Sequence, residues 1–219
     1  VQAVGHLPIS VTEQNIDMLS LSAHKFHGPK GVGALYVKKG ILLTNLIEGG
    51  AQERGRRAGT ENVPAIVGMA AALKECSAHL EEISSRVQAM RDKLIAGLSQ
   101  IPHATLNGDS RHRLPGNVNF SFEGVDGETL LVLLDSKGIC ASAGSACTSG
   151  SLDPSHVLLA LGRPREIANS ALRLTLSDYN TEEETDIIIK EVTAAVECLR
   201  DRSPSWKAKL QGTEKFILP

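Results

Sequence analysis

An apolar stripe running from Ala65 to Leu98 constrains the fold of this 219-residue chain more than any other feature. Ala65, Val67, Met69, Leu73, Leu80, Ile83, Val87, Met90, Leu94 and Leu98 recur at helical spacing. Asn62 is placed to cap such a helix, and Pro64 is tolerated in its first turn. Gly68 and the Ser84-Ser85 pair are where it would bend or break. Before the stripe, Met18 to Leu21 and Val32 to Val37 read as strands around a tight glycine-rich loop. After Pro102 the pattern changes to short alternating elements. Asn117 to Phe122 predicts a strand, Asp126 to Ser136 a helix and Gly138 to Ser142 a further strand. A loop of small residues follows, from Ala143 to Ser151, and then a short helix from Asp153-Pro154 that Gly162 ends. Ala171 to Leu176 predicts another strand, and Thr181 to Glu184 a capping box opening a helix to about Arg200. From Ser203 the periodicity fades, which predicts a surface tail.

The charge balance removes several classes of function. Lys and Arg number 23 against 25 Asp and Glu, a net charge of -2, so the broad basic field of a nucleic-acid binder is missing. No apolar run approaches the roughly 18–20 residues that cross a bilayer. The start lacks the basic, apolar and cleavage-site succession of a signal peptide, which predicts a cytoplasmic, reducing location. In such a compartment, and with a chain long enough to bury a core, the four cysteines are not needed as disulfide staples. The chain opens at Val1 without a methionine, and the expectation is a piece of a longer protein.

Three places carry chemistry. Lys25, taken alone, reads as a solvated charge, but it lies among Ser22, His24, Gly28, Pro29, Gly31 and Gly33. There the hydroxyl and imidazole can meet a phosphate, and glycine backbone can approach a ligand closely. The glycine spacing fits neither the P-loop nor the dinucleotide fingerprint. Cys147 stands in a run of Gly144, Ser145, Thr148, Ser149, Gly150 and Ser151, where an exposed thiol would be reactive. His156 is near enough in sequence to be weighed as its base, although capping or packing near a short helix is the favoured reading. Cys76 and Cys198 fall in helical patterns and Cys140 at the end of an apolar strand, all read as packing residues. No C-x-x-C or H-x-x-x-H pair predicts zinc, and no metal is expected. Arg173, between apolar neighbours in its strand, can hold a carboxylate as a bidentate fork or snorkel to solvent, and from the residues alone snorkelling is the favoured reading. Glu53, Arg54, Arg56 and Arg57 read as a solvated loop face.

Taken in order and at these separations, Ser22-Ala-His-Lys-Phe-His-Gly-Pro-Lys-Gly31, Arg57-Ala-Gly-Thr-Glu-Asn62 and Gly144-Ser-Ala-Cys-Thr-Ser-Gly-Ser151 resemble the pyridoxal-phosphate-dependent cysteine desulfurases. The resemblance is to the class serving nitrogenase and general iron-sulfur assembly, and it weakens after about Trp206. It implies an α/β fold: the C-terminal part of a fold-type I aminotransferase-like large domain over 1–63, a connecting helical segment over 64–100, and an α+β small domain over 101–219 carrying the cysteine loop. It implies conversion of L-cysteine to L-alanine, with sulfur passed to Cys147 as a persulfide for an iron-sulfur scaffold or another acceptor protein. Lys25 matches the lysine that holds pyridoxal phosphate covalently and later moves protons. Ser22 and His24 match its phosphate ligands, and Gln2 matches a glutamine near its phenolic oxygen. Thr60 matches a threonine reaching the phosphate of the neighbouring subunit in a homodimer, and Arg173 matches the clamp on the substrate carboxylate. The family's aspartate at the pyridine nitrogen would fall two positions before Val1. A stacking histidine, a phosphate-binding threonine and a carboxylate-binding asparagine also belong to that preceding half, so the 219 residues alone are expected to be inactive. Other readings are a non-catalytic interaction subunit, a thiol sulfurtransferase working without a cofactor, and a selenocysteine lyase.

Overall fold

In a computed structural model, which describes residues 1–144 and 153–219, the chain divides into two compact units, Val1–Ser84 and Ser85–Pro219.

In the first unit β1 (Met18–Ser22) and β2 (Gly33–Val37) pair antiparallel, Met18 opposite Val37 and Ser22 opposite Gly33. Both expected strands are present. The segment between them folds into a 3-10 turn, η1 (Ala23–Phe26), closed by His27 in the left-handed region (φ 64°). Ala23 donates its N–H to Val32 O at 3.0 Å and accepts from Gly28 N–H at 2.9 Å. Ala23 and Phe26 are buried with Val4, and Met69, Leu73 and Cys76 pack against them. Gln52–Gly55 forms a single turn, α1, with Glu53 and Arg54 left-handed inside it.

The apolar stripe becomes two helices, α2 (Val63–Ala78) and α3 (Leu80–Leu98). Asn62 caps α2 as expected, its side chain accepting from Ala65 N–H at 3.3 Å. The interruption falls at His79 (φ -116°, ψ 16°), not at Gly68 or Ser84-Ser85. Gly68 serves close packing instead: a Cβ there would lie 2.7 Å from Pro29 Cγ. Val67, placed on the stripe, is 61% exposed.

The second unit is built on a three-stranded antiparallel sheet in the order β3 (Ala104–Leu106), β4 (Asn117–Phe122), β5 (Ala171–Thr175). Period-two alternation buries Val118, Phe120 and Phe122 from β4 with Leu172 and Leu174 from β5. Leu130 and Leu134 of α4 (Gly127–Asp135) and Val192 and Val196 of α7 (Glu182–Arg202) are buried too. Gly97 of α3 lets that helix approach α7, since a Cβ would lie 2.5 Å from Ile189 Cδ1. The expected caps form: Asp126 Oδ1 accepts from Thr129 N–H at 2.8 Å, and Thr181 and Glu184 make both halves of a capping box.

Three expectations are corrected. Gly138 to Ser142 is not a strand. Its first residues close α4, with Gly138 N–H donating to Asp135 O and Ile139 N–H to Leu134 O, so only Ser142 pairs, with Arg173. Cys140, expected to pack, is exposed. The region after Ser203 is not a loose tail, because it forms α8 (Pro204–Leu210) and buries Trp206, Lys209 and Leu218. The short helix after Asp153-Pro154 is present as α5 (His156–Ala160), followed by α6 (Arg165–Asn169), which the pattern did not predict.

Candidate active site

The sequence places Lys25 beside a strand end, and the fold fixes it there through its neighbours. Ala23 and Phe26, on either side of His24-Lys25, are 0% and 1% exposed, so the turn is anchored from below. Lys25 is half-buried and makes no ion pair or hydrogen bond to the described residues. Ser22 Oγ and His24 Nδ1 lie 2.9 Å apart, a hydroxyl and an imidazole sharing one hydrogen bond at the rim of the turn. Gly5 brings the N-terminal turn that carries Gln2 against the same core, since a Cβ on it would lie 2.8 Å from Phe26 Cβ. Gln2 itself is exposed.

Two of this loop's glycines, Gly28 and Gly33, act differently from the expectation, while the space at Gly31 is open. A Cβ on Gly28 would lie 2.8 Å from Ala23 Cβ, and one on Gly33 would lie 2.5 Å from Leu21 O. They make room for the chain's own turn and strand crossing, not for an approaching ligand. Thr60 is exposed in the segment before α2, which Gly59 enters at φ 108°. Nearby, Arg57 Nη1 donates to Ala58 O at 2.8 Å and Gln52 Oε1 accepts from Gly59 N–H at 3.1 Å, so that motif holds its own loop.

In the second unit Arg173 sits in the middle of β5, between Asn119 of β4 on one side and Ser142 on the other. Its Nε is buried and has no hydrogen-bond partner among the described residues. Leaving a buried charged donor unpaired costs more than about 1–3 kcal/mol, so this atom calls for an acceptor that the chain does not supply. Snorkelling alone would not strand Nε in the interior. Cys147 lies outside the described residues. His156 is exposed at the first position of α5.

The donor set fits pyridoxal phosphate by its chemistry. An uncommitted amine suits covalent attachment to an aldehyde carbon, and the adjacent hydroxyl and imidazole suit a phosphate. Sequence reasoning missed a polar network on the same sheet face as Arg173, formed by Asn107, Asn119, Ser121 and Arg163. The alternation Asn117-x-Asn119-x-Ser121 was its available signal. A depression of about 370 Å³ between α3 and Ser110-Arg111 contains none of the residues singled out.

The chain is similar to known proteins over nearly its whole length. The family described as aminotransferase class-V matches residues 1–188. A cysteine desulfurase IscS of Methanosarcina thermophila is 54% identical over 204 residues, covering 93% of this chain and 50% of that protein. A cysteine desulfurase NifS of Azotobacter vinelandii is 50% identical over 207 residues, covering 94% of this chain and 52% of its own length. The solved structure of a NifS-like protein superposes with a TM-score of 0.80 at 41% identity, over 90% of this chain and 51% of that one. The chain thus spans about half the length of the curated relatives it matches, and its fold is that of the NifS-like proteins, α/β as expected. No helix among the described residues is long and apolar enough to cross a membrane.

Proposed function

The chain belongs to the class-V aminotransferases, and from that premise we propose that it carries the lysine, arginine and cysteine of a pyridoxal-phosphate-dependent cysteine desulfurase. The observation that carries this reading is the buried Nε of Arg173, without a partner among the described residues, which asks for an anionic ligand in a chain half-identical to proteins named cysteine desulfurase.

The residues divide the work. Lys25 Nζ would hold the cofactor covalently, Ser22 and His24 would hold its phosphate, and Gln2 would serve its phenolic oxygen. When bound, pyridoxal phosphate withdraws electron density from the substrate α-carbon. Arg173 clamps the carboxylate of L-cysteine as a bidentate fork. Lys25 Nζ takes the proton from the substrate α-carbon and returns protons as the product forms. The Cys147 thiolate attacks the substrate sulfur and the bond from that sulfur to the β-carbon breaks. Its electron pair stays on carbon, which is protonated, so L-cysteine and Cys147 thiol become L-alanine and Cys147 persulfide. The persulfide then passes to an iron-sulfur scaffold or another acceptor protein. Thr60, exposed on its loop, serves the phosphate site of a second copy in a homodimer.

The test is made on the full-length protein that contains these residues. Incubation with pyridoxal phosphate should give a visible absorbance band, and borohydride should trap the cofactor on Lys25. Cys147→Ala should keep the band and lose the persulfide. A trapped adduct on any other residue, or persulfide formation without Cys147, overturns the assignment. Absence of any band would favour a non-catalytic interaction subunit. The 219 residues alone, half the length of their relatives, should show no turnover of L-cysteine.

A further inference from the structure

One polar row crosses the sheet of the second unit. Asn107, just past β3, donates its backbone N–H to Asn119 O at 2.8 Å, and Asn119 is the cross-strand partner of Arg173. Directly opposed residues of this kind hold their Cβ atoms roughly 4.5–5.5 Å apart on one face.

The direction of the side-chain hydrogen bonds along the row is forced from its far end. Arg163 Nε donates to Asn107 Oδ1 at 2.9 Å, and a guanidinium can only donate. The oxygen of Asn107 is therefore committed to Arg163. Its Nδ2 donates to Asn119 Oδ1 at 2.8 Å and to Ser121 Oγ at 2.9 Å. Arg163 is itself fixed, through Nη2, by Leu106 O at 3.0 Å and Thr105 Oγ1 at 3.1 Å. This chain of donors removes the usual ambiguity of an amide's orientation. Asn119 accepts on its oxygen and keeps an Nδ2 that donates to none of the described residues. Its neighbour across the ladder, Arg173, can only donate, and its buried Nε has no partner among the described residues. Two adjacent donors, one charged and one neutral, thus share a sheet face and reach no acceptor among the described residues.

We propose that Asn119 is a further carboxylate-binding residue of this chain, donating from Nδ2 to the substrate carboxylate held by Arg173, with Asn107 and Arg163 as positioning residues that fix its amide. The proposal rests on the desulfurase reading above and adds to it a determinant of selectivity for amino acids over their esters.

The experiment compares kcat/KM for L-cysteine and for its methyl ester in the full-length protein. N119A should lower the preference for the acid about tenfold, as loss of one hydrogen bond to a charged group does, mostly through KM for the acid. N119D, nearly identical in shape and still able to accept from Asn107, should lower it further because it sets a carboxylate against a carboxylate. N107L should give a smaller loss of the same preference, since the Asn119 amide can then turn. R173A is the control. If R173A abolishes the preference while N119A and N119D retain it, or reduce acid and ester alike, the role of Asn119 is overturned and the desulfurase reading stands. If R173A also leaves the preference unchanged, the desulfurase reading of this face falls, and the role of Asn119 falls with it.

Discussion

A methyl group on Gly28 would meet Ala23 Cβ at 2.8 Å and Ala23 O at 3.0 Å, and Ala23 is wholly buried beneath the turn that carries Lys25. Gly28→Ala should therefore cost about 1–3 kcal/mol in urea denaturation, because the turn must shift to admit one carbon. It should also weaken cofactor retention in the full-length protein. Unchanged stability would mean that the turn yields without strain. Thiol exposure gives a second outcome at this scale. Cys140 is exposed, Cys198 is half-buried, and Cys76 is half-buried with its Sγ donating to Leu73 O at 3.3 Å. Iodoacetamide on the native chain should modify Cys140 before Cys76 or Cys198, as read by peptide mass spectrometry. The reverse order would contradict the burial, and persulfide measurements on Cys147 accordingly need a Cys140→Ser background. Lys25, Cys147 and Arg173 stand out in the sequence through their motifs, and their roles come from the family resemblance. Asn119 does not stand out, because its partners come from β3, β5 and the segment after α5, and only the register of three strands brings them into line.

Among the elements, the one that departs furthest from its expected form is the C-terminal segment. Glu123, fully buried, accepts from Lys209 Nζ at 2.6 Å and from the backbone N–H groups of Ile217 at 2.8 Å and Leu218 at 2.7 Å. Arg200 donates to Glu123 O at 3.0 Å and lies 4.0 Å over the ring of Trp206, the only tryptophan. His103 stacks on Phe216 at 3.8 Å and its Nδ1 lies 2.8 Å from Leu218 O. Burial pushes the Arg200 guanidinium down to about 10, against the opposing pull of Glu123 and Glu197. Burial raises the Glu123 carboxyl, but the Lys209, Ile217 and Leu218 hydrogen bonds outweigh it and hold the group below the ordinary glutamate value. Burial likewise opposes the charge of Lys209, while Glu123 and Glu166 together carry it above the ordinary lysine value. The signs follow. A depressed carboxyl contributes fully above the unfolded glutamate value and loses its contribution as pH falls through the folded one. A raised ammonium contributes fully below the unfolded lysine value and loses its contribution only as pH rises through the folded one. Urea denaturation followed by Trp206 fluorescence should show stability flat near neutrality and falling at acid pH. Glu123→Gln should cost about 3 kcal/mol at neutrality and flatten the acid limb. An acid limb unchanged in the variant would sink the assignment to Glu123. Strand alternation made β4 and β5 legible, and the capping box made α7 legible. β3 is too short to show a period, and the short apolar run Ile139-Cys140-Ala141 reads like a strand although the first backbone groups of this segment close α4.

At the scale of the whole molecule, the two compact units differ in what they bury. Among the described residues, the buried hydrophobics of Val1–Ser84 are Val4, Ala23, Phe26 and Ala58, two of them only alanines, while Leu42 and Leu46 are each 95% exposed. Its sheet has two strands, an arrangement that is marginal in water without further packing. Ser85–Pro219 buries Met90, Leu94, Leu98, Val118, Phe120, Phe122, Leu130 and Leu134 around a three-stranded sheet. Local stability should follow this difference. In hydrogen exchange of the 219-residue chain, amides of β4, β5 and α7 should exchange only through global opening, and those of β1 and β2 through smaller openings many times more often. Equal protection in both would refute the ranking. The functional consequence separates Lys25 from Arg173, since the first stands in the weakly protected unit and the second in the strongly protected one. On heating the full-length protein, a cofactor band that depends on the Lys25 turn should therefore fade before Trp206 fluorescence reports the loss of the second unit. Simultaneous loss of the two signals would show that the remainder of the protein supports the first unit as firmly as the second supports itself.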